Sequence, residues 1–309
     1  MNKFISIILM LMLTVGNLFA QNKQVRVEPQ VETAADNGKT LKRKVAISRF
    51  SNETQYGKGI FYDKKNDPMA KQALDILSAR LASTGKFILL ERSDMEEVKN
   101  ENVDATEDFS KVGADYVIVG SITQFGRKNT GDVTLLSRSK TQMVEVAVSI
   151  RLIDVSTGQI IYSEEAKGDA EIKSKTSFGL GGSADFDATL SDKAISAAIS
   201  QLTENIINNC MDRPWKAYFL AVDDGSIFIS GGQSQGINVG NTFIVKEKGK
   251  SVKNPQTGMM MELPGKAVGK IKVLLSGGDM PINEFSVVEF TEGSIDESKL
   301  SNYYIEEIK

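Results

Sequence analysis

From Met143 to Ile153 the chain alternates strictly: Val144, Val146, Val148, Ile150 and Leu152 on one side, Glu145, Ala147, Ser149 and Arg151 on the other. Period two of this length demands a strand with one buried face and one wetter face. Asp154-Val155-Ser156-Thr157-Gly158 then reads as a turn, and Gln159–Ser163 as the returning hairpin partner. A strand this apolar on one side needs a cover. Two stretches supply it. Met69, Ala73, Ile76, Leu77 and Leu81 recur at helical spacing between Asp67 and Thr84, with Asp67 as N-cap, Pro68 at the first helical position and Gly85 as the stop. Asp192–Asn208 repeats the pattern with Ala194, Ala198, Leu202 and Ile206. Further strands are predicted at Lys44–Phe50, Phe87–Arg92 and Tyr116–Ile122. A helix opens at Ser93 with Glu96 completing a capping box, and a short turn or helix spans Asp108–Lys111. The expected fold class is α/β, a mixed sheet covered by helices, over residues 42–213.

The N-terminus carries a different signal. Asn2 and Lys3 precede the apolar run Phe4–Val15, and Gly16-Asn17-Leu18-Phe19-Ala20 leads into polar Gln21. This is the layout of a secretory signal peptide, residues 1–20, with an apolar core of about 12 residues, against the roughly 20 a membrane-spanning helix needs. The chain is therefore expected to be exported, with 21–41 an extended or mobile lead-in.

Chemistry is scarce. The 309 residues include no histidine and one cysteine, Cys210. That removes the usual general base, the commonest metal ligand and any intrachain disulfide framework. Cys210 and Trp215 read as packing residues, and Gly57-Lys58-Gly59 and Gly231-Gly232 fit no phosphate-binding loop. No catalytic residue, cofactor or metal is expected, and a net charge of −3 gives no reason to expect a nucleic-acid partner.

Beyond Arg213 the character changes to short strands and glycine turns, including Gly236-Ile237-Asn238-Val239-Gly240 and Asn254-Pro255-Gln256-Thr257-Gly258. We read 214–291 as a small all-β, barrel-like domain and 292–309 as an acidic tail.

Two further stretches alternate. In 164–190, Ala166, Gly168, Ala170 and Ile172 oppose Lys167, Asp169, Glu171 and Lys173 before Gly181-Gly182-Ser183. Ala184, Phe186, Ala188 and Leu190 then resume the pattern. In 124–144 a second hairpin turns at Asn129-Thr130-Gly131-Asp132, although adjacent Arg127 and Lys128 spoil its ascending arm. Transmembrane β-hairpins have this period. So do extended soluble hairpins, and alternation alone leaves both open.

Three segments carry a family resemblance: Val146–Ile160 with its Val155-Ser156-Thr157-Gly158-Gln159, Leu90-Glu91-Arg92, and Ala114–Ile122 ending in Gly120-Ser121-Ile122. Their order and spacing resemble the CsgG family, typified by the outer-membrane channel of curli secretion. The resemblance implies a periplasmic α/β domain, a homo-oligomeric ring, and hairpins at 124–144 and 164–190 that build one barrel across the outer membrane for an extracellular protein substrate. It implies a pore constriction in the loop 51–68, with Tyr56, Phe61 and Tyr62 the candidates by position. It makes Lys167, Asp169, Glu171, Lys173 and Lys175 lumen-facing, and Ala170, Ile172, Phe178, Ala184 and Phe186 lipid-facing. Three departures favour the alternative, a non-pore periplasmic scaffold or envelope-assembly protein built on the same ring-forming domain. No cysteine follows the signal, the first hairpin is weakly amphipathic, and the C-terminal region is additional. That region is similar to the small β domain of flagellar-assembly-type envelope proteins, which implies docking to other envelope components.

Overall fold

The computed structural model describes residues 24–25, 40–56, 67–90, 92, 113–133, 137–177, 189–253, 255–256, 258, 260–281 and 283–308. The first sheet contains β1 (Gln24–Val25), β2 (Arg43–Asn52), β3 (Phe87–Leu90), β4 (Tyr116–Val133), β5 (Ser137–Asp154) and β6 (Ile160–Ser177), in the order β1-β6-β5-β4-β2-β3. β2 runs parallel to β3 and β4. β4, β5 and β6 form an antiparallel meander of 18-residue strands. Helices α1 (Pro68–Ser83) and α2 (Thr189–Met211) cover one face.

The alternation that opened the sequence reading is realised in β5. Val144, Val146, Val148, Ile150 and Leu152 are all buried against the helices, while Glu145 and Arg151 are exposed. α1 begins where its capping chemistry places it, with Asp67 Oδ1 accepting from Met69 N at 2.9 Å and Ala70 N at 3.0 Å. Its last turn ends at Gly85, whose φ of 65° lies in the left-handed region that suits glycine. α2 is longer at both ends than its predicted core, because Leu190 and Cys210 extend the same buried stripe. Arg80 Nη2 donates to Ser196 Oγ at 2.8 Å and ties the two helices together.

β6 and α2 meet backbone to backbone. A Cβ on Gly168 would lie 2.1 Å from Ala194 O and 2.4 Å from Ala198 N. Only glycine lets the helix sit this low, which brings Ala194, Ile195, Ala198 and Leu202 into the core shared with Ala166, Ala170 and Ile172.

The second sheet contains β7 (Lys216–Ala217), β8 (Phe219–Asp223), β9 (Ser226–Ser230), β10 (Thr242–Glu247), β13 (Lys266–Gly277), β14 (Phe285–Gly293) and β15 (Tyr303–Glu307). Between β10 and β13, β11 (Ser251–Lys253) and β12 (Met260–Glu262) pair separately. The order β7-β15-β10-β13-β14-β9-β8 puts two strands adjacent in the chain at opposite ends of the sheet. Only Tyr218 separates β7 from β8 in the chain, and β8 approaches β15, so the sheet nearly closes. Trp215, Phe219, Ile229, Phe243, Val245, Ile271, Val273 and Ile305 fill it, with Trp215 and Phe243 ring centroids 5.3 Å apart.

The structure places strands in the acidic stretch and the lead-in, and it changes two expectations in the hairpin regions. Within the acidic stretch 292–309, β15 pairs with β10 and β7, and Ile305 is fully buried. Of the lead-in, Gln24–Val25 is extended and pairs with Ile172–Lys173, and Leu41 packs in the second core. The first hairpin does not turn at 129–132. Asn129 and Thr130 pair with Gln142 and Thr141 inside the ladder, which runs on to Val133 paired with Arg138. Turn-rich composition yields there to the pairing of two long strands. Leu190 belongs to α2 rather than to a returning strand. The predicted helix at Ser93, the segment Asp108–Lys111 and the glycines 179–182 lie outside the described residues.

Gly168→Ala lowers stability by about 1–3 kcal/mol, because a backbone contact cannot yield as a side chain would. Gly126→Ala, where an added Cβ meets nothing within 4 Å, stays within about 0.5 kcal/mol. Urea denaturation of both variants measures the difference.

Candidate functional site

The loop between β2 and α1 is closed at its base by a buried polar knot. Asn52, 3% exposed, donates from Nδ2 to Asp67 Oδ2 at 3.0 Å and to Tyr56 O at 3.3 Å. Its Oδ1 accepts from Thr54 N at 3.0 Å and Thr54 Oγ1 at 2.7 Å, and Thr54 Oγ1 in turn accepts from Tyr56 N at 3.2 Å. Asp67 therefore caps α1 with one oxygen and holds the loop base with the other. Burial forces these polar groups to find each other.

Tyr56 leaves this knot half-exposed and stacks on Phe125 of β4, ring centroids 4.2 Å apart. The Arg127 guanidinium lies 4.6 Å from the Tyr56 centroid and 5.5 Å from that of Phe125, and donates from Nη2 to Ser191 Oγ at 3.3 Å. A cation over two aromatic faces is a stabilising ledge joining the loop base, β4 and the start of α2. Of the three aromatics singled out in the sequence, Tyr56 belongs to this ledge, and Phe61 and Tyr62 lie outside the described residues. Sequence reasoning missed Phe125 and took Arg127 as a flaw in a hairpin. Arg127 lies 71 positions from Tyr56 and 64 from Ser191 in the chain, so no local spacing could reveal the group.

On the meander, Lys167, Asp169 and Lys173 are exposed and Glu171 half-buried, all on the face away from α2. Lys173 Nζ pairs with Glu171 Oε1 at 2.6 Å. The side chain of Lys175 is outside the described residues, as are Phe178, Ala184 and Phe186. Ala170 and Ile172, expected to face lipid, are 4% and 5% exposed and sit inside the core with α2. The small-residue face of the hairpin is the floor beneath this chain's own helix. Gln201 Nε2 also donates from α2 to Lys167 O at 2.9 Å, occupying a carbonyl on β6.

The two halves meet at Arg43, 2% exposed. Its Nη1 donates to Leu41 O at 2.7 Å, and its Nη2 to Arg213 O at 2.8 Å and to Glu307 Oε1 at 2.9 Å. Lys42 N donates to Gln235 O at 2.8 Å beside it. A cleft of about 420 Å³ opens here, lined by Lys44, Asp115, Asp154, Arg213, Trp215 and Gln235 among others. Burial pushes the Asp115 carboxyl up, against the backbone N–H of Lys44 that it accepts at 2.7 Å. Burial also pushes the Cys210 thiol up to about 12, so the thiolate, the nucleophilic form, is scarce at neutral pH. The arrangement can hold two domains and bind a partner. It presents no activated nucleophile.

The family model described as curli production assembly/transport component CsgG matches residues 27–239. The protein NMB1126/NMB1164 of Neisseria meningitidis serogroup B, which carries a lipoprotein name, is 31% identical over 175 residues, 56% of this chain and 78% of its own. Among solved structures, the hypothetical protein CT253 of Chlamydia trachomatis shares 15% identity at a TM-score of 0.34, over 56% of this chain and 99% of that one. Lipoprotein GNA1162 of Neisseria meningitidis shares 15% at 0.28, over 55% and 99%. The PelC dodecamer of Paraburkholderia phytofirmans shares 16% at 0.26, over 59% and 95%. None of the three overlaps enough of the backbone to carry a conclusion about assembly.

Asp67→Ala removes the cap and strands the buried Asn52 amide at once. The expected loss is about 1–2 kcal/mol. Asp67→Asn keeps a capping oxygen but turns an amide N–H toward Asn52 Nδ2, so it recovers only the capping share of the loss, and thermal melts of the two variants make the comparison.

Proposed function

This chain belongs to the CsgG family, and from that premise we propose that it is an exported, non-enzymatic component of envelope assembly or transport that works as a periplasmic scaffold with its meander folded. The seat of α2 on β6 is the observation that carries this reading. The alternating face of the hairpin is already satisfied, by Leu190, Ala194, Ala198 and Leu202 from the same chain. Lifting α2 away would expose Leu190, Ile195, Ile199, Leu202 and Ile206, all fully buried. At about 1.5–3 kcal/mol for each such side chain, the cost is of order 10 kcal/mol. Only lipid or further copies of the chain could return it.

A secretion-channel subunit for an extracellular protein is the second reading. Strands of 18 residues exceed the roughly 9–11 that cross a bilayer, and the family description names transport. In that state Ala170 and Ile172 turn to lipid, Lys167, Asp169, Glu171 and Lys173 face water, and Tyr56 lies at the entrance of the constricting loop. Both readings use a ring of copies. Support for a ring comes from the sheet face opposite the helices, where Val117, Val119 and Ile153 are half-buried with no helix over them among the described residues. It also comes from the outer edge of β6, which has a strand partner only at Ile172–Lys173 among those residues.

Cysteine labelling separates the readings. In a Cys210→Ala background, Lys167→Cys reacts readily with a water-soluble maleimide. Ala170→Cys reacts at least about a hundredfold more slowly until urea is added, because it opens only with the fold. Light scattering of the same sample reports the ring. Stable planar-bilayer conductance together with lipid-phase labelling of Ala170→Cys would transfer the assignment to the channel.

A further inference from the structure

β10 and β13 leave the barrel as a pair and continue beyond it as β11 and β12. The pairing Glu247↔Lys266 gives way to Ser251↔Glu262, Val252↔Met261 and Lys253↔Met260. Between them the two chains close up on glycine. A Cβ on Gly249 would lie 1.7 Å from Leu263 O, and one on Gly265 2.6 Å from Glu247 O. Leu263 N donates to Lys250 O at 3.0 Å across the same waist. The outer pair forms a sheet of its own, and apart from each other its strands make no substantial contact with any described element. A lone two-stranded hairpin is marginal in water. This one is held at its root and packs on no other described element to any substantial extent.

Its charge differs from that of the body. Residues 246–266 carry five lysines against two glutamates and no arginine, in a chain of net charge −3. Lys246 is taken by Glu306. Lys248, Lys250, Lys253 and Lys266 are exposed and form no ion pair among the described residues. Between them Val252 is 38% and Leu263 45% exposed.

We propose that the β11–β12 arm is a membrane-surface anchor that takes the phosphate-bearing headgroups of an anionic lipid leaflet. A site for paired carboxylates or nucleic acid would favour the planar fork of arginine. Four point charges on long alkyl stems, interleaved with Val252 and Leu263, instead suit a headgroup layer: the ammonium groups stay at phosphate level and the apolar side chains enter the boundary. Attraction to such a surface fades within a Debye length of about 8–10 Å. Cations on a projecting arm reach it before the acidic body is repelled. The assignment stands on the arm alone and is the same whether the meander serves as scaffold or channel.

Vesicle flotation of the chain from Gln21 onward, which retains every described residue, tests it. The chain floats with phosphatidylglycerol-containing vesicles at low salt and not with pure phosphatidylcholine. Combined Lys248→Gln, Lys250→Gln, Lys253→Gln and Lys266→Gln weakens that binding at least about tenfold, with an unchanged thermal melt. In the Cys210→Ala background an environment-sensitive dye on Val252→Cys shifts to the blue on the anionic vesicles. Inorganic phosphate, compared with chloride at matched ionic strength, leaves the binding intact. Equal binding by the quadruple variant, indifference to lipid charge, or a dye that does not shift overturns the anchor. Loss to inorganic phosphate alone overturns it in favour of a free-anion site.

Discussion

At Gly168 two backbones touch, the strand β6 and the helix α2, with no side chain between them. The α/β half is arranged around that approach. A helix seated so low reaches across β6 to β5, and its stripe from Leu190 to Cys210 roofs the apolar face of those two strands. The alternation of β5 and β6 would serve equally well against hydrocarbon. In this structure that face is covered by the next described element, a 23-residue helix with the apolar surface to do so.

The second constraint is electrostatic. Leu41 belongs to the β core and Val45 to the α/β core, so the chain passes from one to the other within a few residues. Arg43 sits at that crossing as a buried cation, joined to Leu41, Arg213 and Glu307. A buried charge is tolerable only when such partners surround it. The three come from the entry to β2, the exit from α2 and the last strand of the barrel, so one guanidinium fixes the relative placement of two hydrophobic cores.

Much of this was legible in advance. β5, the Asp67 cap, the Gly85 stop and the change of character after Arg213 are local signals, written in period, capping chemistry and composition. The family was legible too, from the three segments around Leu90, Gly120 and Val155. The misreadings share a cause. The turn at 129–132 was inferred from residues that favour turns, but strand pairing over the full length of β4 and β5 outweighs them. Composition likewise leaves the acidic stretch open, while Ile305, fully buried, decides that β15 is a core strand. The Tyr56–Phe125–Arg127 ledge and the Arg43 junction could not be read at all. Their members are brought together only by the finished fold. Lipid-facing and helix-facing residues, finally, carry the same pattern, so no reading of Ala170 and Ile172 alone could separate them.

The place of β15 has a consequence for the order in which the molecule can be made. Residues 303–307 lie between β7 and β10, strands drawn from 216–217 and 242–247. Until they emerge, Trp215 and Ala217 have no neighbour on one side, and the barrel is an open sheet with a raw edge. Nearly the whole β domain must therefore be synthesised before any of it can close. A chain threaded out of the cytoplasm from its N-terminus meets that condition last. Its helical half, whose last helix ends at Met211, can be finished while the barrel is still unmade.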